Sequence, residues 1–264
     1  MKLSIITPTL NSAATLRATL ESIRPLVAAG AEHLVVDSNS TDETAALAET
    51  SGARVISYPR GNMYAAINAG MAEAKGDWLT YLNGDDLLYA DAVTEALAQL
   101  GDSAEVIYGN LDYIDAQGRF LFSWRSPRPQ HLPWLMQHYC PFPQQGALFR
   151  REVFERAKGF DTQYRFAGDY DFFVRCALRG ARFRKLTPRS IAAFRLLPTQ
   201  LSQRLRGEMA PEGIKIRREL RAARPGLNAH CGRPFASLYR WATNLDSMWL
   251  RRHRGRKLDA GWKS

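Results

Sequence analysis

Within its first hundred residues this chain switches four times between a short apolar run of strand length and a segment of helical period. That alternation restricts the fold strongly, because each helix must carry the chain back across the sheet before the next strand begins. Leu3 to Thr7 reads as a buried strand, and Leu16, Leu20 and Ile23 share one face of a helix entered through Asn11 or Ser12 as N-cap. His33 to Val36 is a second strand, ending on Asp37. Ser40 and Glu43 then have capping-box spacing ahead of a helix carrying Ala45 to Ala48. Arg54 to Ser57 is the third strand, Tyr64 to Ala74 a helix stopped by Gly76, Trp78 to Leu82 the fourth strand, and Ala90 to Leu100 another helix. The expectation is an α/β fold with a Rossmann-like, mostly parallel central sheet and helices on its faces.

The pattern changes after residue 104. Val106 to Ile114, a turn at Gln117 and Gly118, and Phe120 to Trp124 predict a hairpin. Proline breaks the stretch from Pro127 to Pro143 too often for a long element, and Gln145 to Phe149 is expected to rejoin the sheet. Asp169 to Leu178 reads as a helix entered through Gly168, and Phe183 to Leu197 as one or two strands. Helices are expected around Leu201 to Leu220 and Phe235 to Arg252.

Open parallel sheets bind ligands outside the carboxyl ends of their strands. There this chain gathers Thr7, Pro8 and Thr9, then Asp37, then Asp85 and Asp86, where the fourth strand halts on Asn83-Gly84-Asp85-Asp86. Such a rim suits a nucleotide. Asp37 can accept the N–H of a base, Asp85 can bond ribose hydroxyls, and Asp86 can bind a divalent ion bridging a diphosphate. Hard carboxylates favour Mg²⁺ or Mn²⁺, and without an ion they would repel the phosphates. Taken singly, each motif also suits an ordinary turn or helix cap, and Asp169 could simply charge the first turn of its helix.

Their order is more specific than any one of them. Ser4 to Asn11, Val35 to Asp42, Leu82 to Asp86 and Gly168 to Asp171 together resemble the motifs of the inverting family 2 glycosyltransferases of the GT-A fold, over roughly residues 1 to 200. The resemblance implies a GT-A catalytic domain at 1–200, with a nucleotide-sugar half at about 1–103, an acceptor half at about 104–200 and a small antiparallel part of the sheet. Pro8, Thr9 and Asp37 match the base pocket, Asn11 and Asn62 fall among the nucleotide-binding segments, Asp85 matches the ribose contact and Asp86 the Mn²⁺ or Mg²⁺ ligand. Asp169 matches the general base that deprotonates the acceptor hydroxyl. The implied reaction moves a hexosyl or N-acetylhexosaminyl group from a nucleoside diphosphate sugar, UDP preferred, to a saccharide or lipid-linked hydroxyl with inversion, as in polysaccharide biosynthesis. Two positions depart from the pattern. Gly168 stands where many relatives carry Glu, leaving Asp171 as an alternative base, and Asn83 stands where many carry Asp.

The net charge of +10 lies entirely in the last 64 residues. From residue 201 onward 15 Lys or Arg face 5 Asp or Glu, and before it 21 of each sign cancel. A basic tail behind a neutral body implies an acidic partner surface, and the arginines from Arg251 to Arg256, near Trp241 and Trp249, favour an anionic membrane surface over nucleic acid. Residues 201–264 are therefore expected to form a basic helical appendage. Cys140, Cys176 and Cys231 are odd in number and lack metal-ligand spacing. With no apolar run of about 18 residues and no signal-like start, a cytoplasmic protein, peripheral on the inner face of the membrane, is expected. Three rivals remain. A nucleotidyltransferase calls for a Gly-rich loop after the first strand, and an oxidoreductase for Gly-x-Gly-x-x-Gly; residues 7–14 have neither. A catalytically inactive nucleotide-sugar-binding or scaffold protein of the same fold would lack a base, against which Asp169 stands.

Overall fold

A computed structural model describes residues 2–197, 206–223 and 229–245. The strands are β1 (Leu3–Thr9), β2 (Glu32–Asp37), β3 (Arg54–Ser57), β4 (Trp78–Tyr81), β5 (Leu87–Leu88), β6 (Val106–Ile114), β7 (Phe120–Trp124), β8 (Leu148–Arg150) and β9 (Phe183–Arg195). The helices are α1 (Ala13–Ala28), α2 (Thr44–Thr50), α3 (Met63–Glu73), α4 (Ala90–Leu100), the single turn α5 (Leu132–Leu135), α6 (Arg151–Ala157), α7 (Gly168–Leu178), α8 (Arg206–Ala223) and α9 (Ala229–Thr243).

All the strands join one sheet in the order β3-β2-β1-β4-β8-β6-β9-β5, with β7 paired to β6. β3, β2, β1 and β4 are mutually parallel, as the βαβ alternation requires. β8 lies antiparallel to both β4 and β6, joining the parallel half to the β6–β9 pair, itself parallel. Both faces of the sheet are covered, so alternate strand residues enter different cores. From β1, Leu3 and Ile5 join Ile23, Trp78, Val93 and Ile107 on one side, while Ile6 joins Val36, Ile67, Tyr81, Phe149, Phe172 and Phe173 on the other. α3 lies unusually close to the sheet because Gly70 faces it: a Cβ there would sit 2.7 Å from Ile6 and Val36 methyl groups.

One feature departs from expectation. The Ser40–Glu43 capping box does not form, since Ser40 is committed to Asp37 and α2 starts at Thr44. Within the basic segment, Ile216 and Leu220 of α8 are buried in the same cluster as α7. α9 packs on the proline-broken stretch, where the Tyr239 hydroxyl lies 2.9 Å from His131 Nδ1 and Trp134 meets the same ring edge-on. The basic run from Arg251 to Lys257 lies outside the described residues. Among the described residues no helix is long and apolar enough to cross a membrane.

Candidate active site

Thr9 and Asp37 end neighbouring parallel strands in register, and the Thr9 hydroxyl donates to Asp37 Oδ1 at 3.0 Å. The Ser40 hydroxyl donates to the same oxygen at 2.5 Å and the Ser40 N–H to Oδ2 at 2.8 Å. Three donors thus fix the carboxylate while Oδ2 keeps acceptor capacity for a ligand N–H. Pro8, half-buried, lies between Thr7 and Thr9 on the same strand end. Asn11 plays a supporting part. At φ 50° it turns the chain out of β1, its N–H donates to the Ser40 hydroxyl at 2.8 Å, and its side-chain oxygen accepts the Thr41 N–H at 2.8 Å. These bonds tie residues 38–42 to the end of β1.

Asn62 is likewise absorbed by structure. Its side-chain oxygen caps α3 through the N–H groups of Tyr64 and Ala65, at 2.8 and 3.2 Å, and its amide donates to the carbonyls of Thr162 and Tyr164 at 2.8 and 3.0 Å. Its four hydrogen bonds anchor residues 162–164, a hundred positions downstream, to the start of α3.

The turn after β4 separates its two carboxylates. Asp86 is fully buried, at 0% exposure, and three N–H donors converge on it: the Arg195 backbone at 3.0 Å on Oδ1, and the Asn83 and Gln145 amides at 3.1 and 3.2 Å on Oδ2. Burial, followed by the charge of Asp85, pushes its carboxyl well above the usual range. Asp85 is partly exposed, and its carbonyl accepts the Arg195 guanidinium at 2.9 Å. α1 braces the turn from below, with Thr15 and Thr19 hydroxyls on the carbonyls of Gly84 and Asp86, each at 2.8 Å. Mg²⁺ and Mn²⁺ need few protein ligands when a diphosphate supplies the others. Of the two carboxylates in this turn, Asp86, the ligand expected from the sequence, is enclosed by its amide donors and Asp85 is partly exposed; both are hard oxygen donors of the kind such an ion takes. No cluster of three or more metal-ligating side chains occurs among the described residues.

Asp169 lies in the first turn of α7. Its Oδ1 accepts the Tyr170 N–H at 2.8 Å, and the Tyr64 hydroxyl lies 3.4 Å from it and 3.1 Å from the Phe166 carbonyl. Burial pushes the Asp169 carboxyl up to about 6, against which these hydrogen bonds act. The buried Tyr81 phenol feels the charges of both Asp169 and Asp86, so the α7 terminus and the β4 turn belong to one electrostatic neighbourhood. Asp171 faces elsewhere. It is ion-paired with Arg175 at 2.7 Å and lines a cleft between α7 and α8 together with Tyr164, Lys215 and Glu219.

Gly168 has a steric cause. A Cβ there would stand 2.7 to 2.9 Å from three carbons of the Tyr64 ring, so the ring that carries the hydroxyl to Asp169 occupies the space of a side chain at 168. Tyr64, Gln145, Arg195 and Glu212 are the site residues the sequence did not single out. Each acts on a partner between 45 and 109 positions away, and no local pattern marks them. His131, His138 and Trp134, in the proline-broken stretch, make ring contacts among themselves and with α9.

A sequence model described as Glycosyl transferase family 2 matches residues 4–157. A PGL/p-HBAD biosynthesis glycosyltransferase of Mycobacterium tuberculosis is 32% identical over 182 residues, covering 66% of this chain and 68% of its own length. The protein of the same description from Mycobacterium bovis matches to the same extent. Among solved structures, TarS 1–349 of S. aureus superposes with a TM-score of 0.65 at 18% identity, over 86% of this chain and 66% of that one. Its complex with UDP-GlcNAc gives 0.64 at 17% identity, over 86% and 68%. With these matches laid over a GT-A-like sheet, the chain belongs to glycosyl transferase family 2 and is a glycosyltransferase.

Proposed function

We propose that the protein transfers a sugar, with inversion, from a UDP-sugar to a hydroxyl of a lipid-linked or saccharide acceptor, with Asp169 as general base. The carrying observation is the Asp169 carboxylate in the first turn of α7, raised by burial to about 6 and within hydrogen-bond reach of the Tyr64 hydroxyl, on a helix end whose charge acts on Tyr81 together with that of Asp86 in the β4 turn. Asp37 suits the imide N–H of a pyrimidine, with Thr9 and Pro8 beside it, and the UDP-GlcNAc complex of TarS supports a uridine donor. Asp85, partly exposed at the carboxyl end of β4, is assigned to the ribose and diphosphate, and the buried Asp86 beside it braces the turn.

In the reaction the acceptor oxygen attacks the anomeric carbon as its proton passes to an Asp169 carboxylate oxygen. The carbon–oxygen bond to the β-phosphate breaks, and its electron pair leaves on the nucleoside diphosphate. One displacement inverts the anomeric centre. A divalent ion beside Asp85 would supply charge neutralisation on that leaving group. Tyr64 holds the base in place, and Asp171, tied to Arg175, is left to structure.

An acceptor on a lipid carrier accords with α9, which leaves Phe235 and Leu238 of its outer face exposed, as it does Trp241 and the following Leu245. Beside the basic sequence that follows, this apolar stripe suits an anionic bilayer. Flotation with phosphatidylglycerol vesicles, abolished by Phe235→Glu with Trp241→Glu, tests that part; unchanged flotation of the double variant removes it. The central test is a panel of UDP-glucose, UDP-GlcNAc, GDP-mannose and dTDP-rhamnose with Mn²⁺ or Mg²⁺, scored for hydrolysis and thermal stabilisation. Asp169→Asn should retain donor binding and lose about 10²- to 10⁴-fold in turnover. Failure of every donor to bind removes the reading, and a fully active Asp169→Asn removes the base.

A further inference from the structure

Residues 162–167 form the loop that leads into α7 and the candidate base, and α8 grips this loop from outside the matched family segment. Glu212 accepts three consecutive backbone N–H bonds: Oε1 takes that of Arg165 at 2.7 Å, and Oε2 those of Phe166 and Ala167 at 2.9 and 2.8 Å. Successive N–H groups turned to one side form a concave site for an anion, and here the chain's own carboxylate fills it with charge-assisted bonds. From the other side Asn62 binds the carbonyls of Thr162 and Tyr164, and the Tyr64 hydroxyl faces that of Phe166. The loop is therefore held by its carbonyls to α3 and by its N–H groups to α8. α8 is a firm support, since Ile216 and Leu220 are buried and the Arg221 guanidinium donates to the Gln137 carbonyl at 2.7 Å.

We infer that Glu212 is a positioning residue for the transfer reaction, locking residues 165–167 so that α7 presents Asp169 to the acceptor hydroxyl. The inference rests on the assignment of Asp169 as the base. It makes α8 part of the catalytic machinery, although α8 belongs to the basic segment that the sequence set apart. The Glu212 charge also acts to raise the Asp169 pKa, which gives the arrangement a second readout.

Glu212→Gln keeps the shape of the side chain but has one acceptor oxygen where the carboxylate has two, so the three-bond grip fails. Hydrogen exchange read by mass spectrometry on peptides spanning 163–170 reports the three N–H groups directly. Their exchange should accelerate about tenfold or more in the variant. With the panel donor that the wild type turns over fastest, kcat should fall about 10- to 100-fold while the donor KM changes less than about twofold. The acid limb of the kcat profile should move to lower pH. Val93→Ala, which empties a buried site on α4 in the core on the opposite side of the sheet, serves as the stability control: it should lower Tm yet keep the acid limb, the loop protection and most of kcat. Unchanged exchange at 165–167 in Glu212→Gln overturns the inference, as does a loss of kcat no greater than that of Val93→Ala with no movement of the acid limb. An inactive Asp169→Asn beside a fully active Glu212→Gln leaves the base standing and removes the lock. An active Asp169→Asn removes the base, and with it the positioning role.

Discussion

The contact between Gly168 and Tyr64 turns a departure from the family pattern into a measurable coupling. Without a neighbour, Gly168→Ala at the start of α7 would be favourable, because alanine loses less backbone entropy than glycine by about 0.5 to 1 kcal/mol. Here the new Cβ would meet three carbons of the buried Tyr64 ring at 2.7 to 2.9 Å. That ring is 1% exposed and stacked on Phe160 with centroids 5.7 Å apart, so it has little room to retreat. Overpacking of this kind costs about 1 to 3 kcal/mol, which outweighs the helix gain. For a chain of this size the net loss, up to about 2.5 kcal/mol, lowers Tm by up to about 10 °C. Glutamate at 168 should cost at least as much. In a Tyr64→Ala background the sign should reverse, with Gly168→Ala stabilising by about 0.5 to 1 kcal/mol, so the double-mutant cycle carries a coupling equal to the overpacking, about 1 to 3 kcal/mol. Urea denaturation of the four proteins measures it. A stabilising Gly168→Ala in the wild-type background would falsify the steric argument.

Tyr64→Phe removes a donor that lowers the Asp169 pKa, so the acid limb of kcat should rise above about 6; an unmoved limb means the phenol does not serve the base. Asp85→Asn, at a partly exposed carboxylate, should weaken stimulation by Mn²⁺. Asp86→Asn presents an amide to three N–H donors and should instead destabilise by about 1 to 3 kcal/mol; the opposite division between the two variants would return the ion to Asp86. His33 is buried against the Thr7 hydroxyl at 3.0 Å, and burial lowers its pKa to about 4. The unfolded chain binds a proton there from about pH 6.5 downward and the folded chain does not, so stability is lost as pH falls from 6.5 to 4. The loss approaches roughly 3 kcal/mol, and acid denaturation of His33→Asn should lack it.

Much of the donor side was legible from local pattern. Asp37 could be placed beside Thr9 because parallel neighbours in a βαβ unit end on the same rim, and the register confirms that pairing. The hairpin of β6 and β7 and the helix entered at Gly168 also lie where their periodicities put them. For Asn62 and Asn11 the sequence marks the position, but not that loops at 162–164 and 40–41 take up their hydrogen bonds. The same limit hid Gln145 and Arg195, whose donors decide which of two adjacent aspartates is enclosed.

By itself, then, the sequence determined the sheet, its rim and the carboxylates that stand there, because strand and helix periods are set by the backbone and by neighbours a few residues apart. Tertiary structure decided which carboxylate is buried, why position 168 holds no side chain, and that Tyr64 and Glu212 support Asp169 from 105 positions before it and, through residues 165–167, from α8 after it. Desolvation and hydrogen-bond partnership depend on which distant groups share a small volume, and only the packed chain fixes that volume.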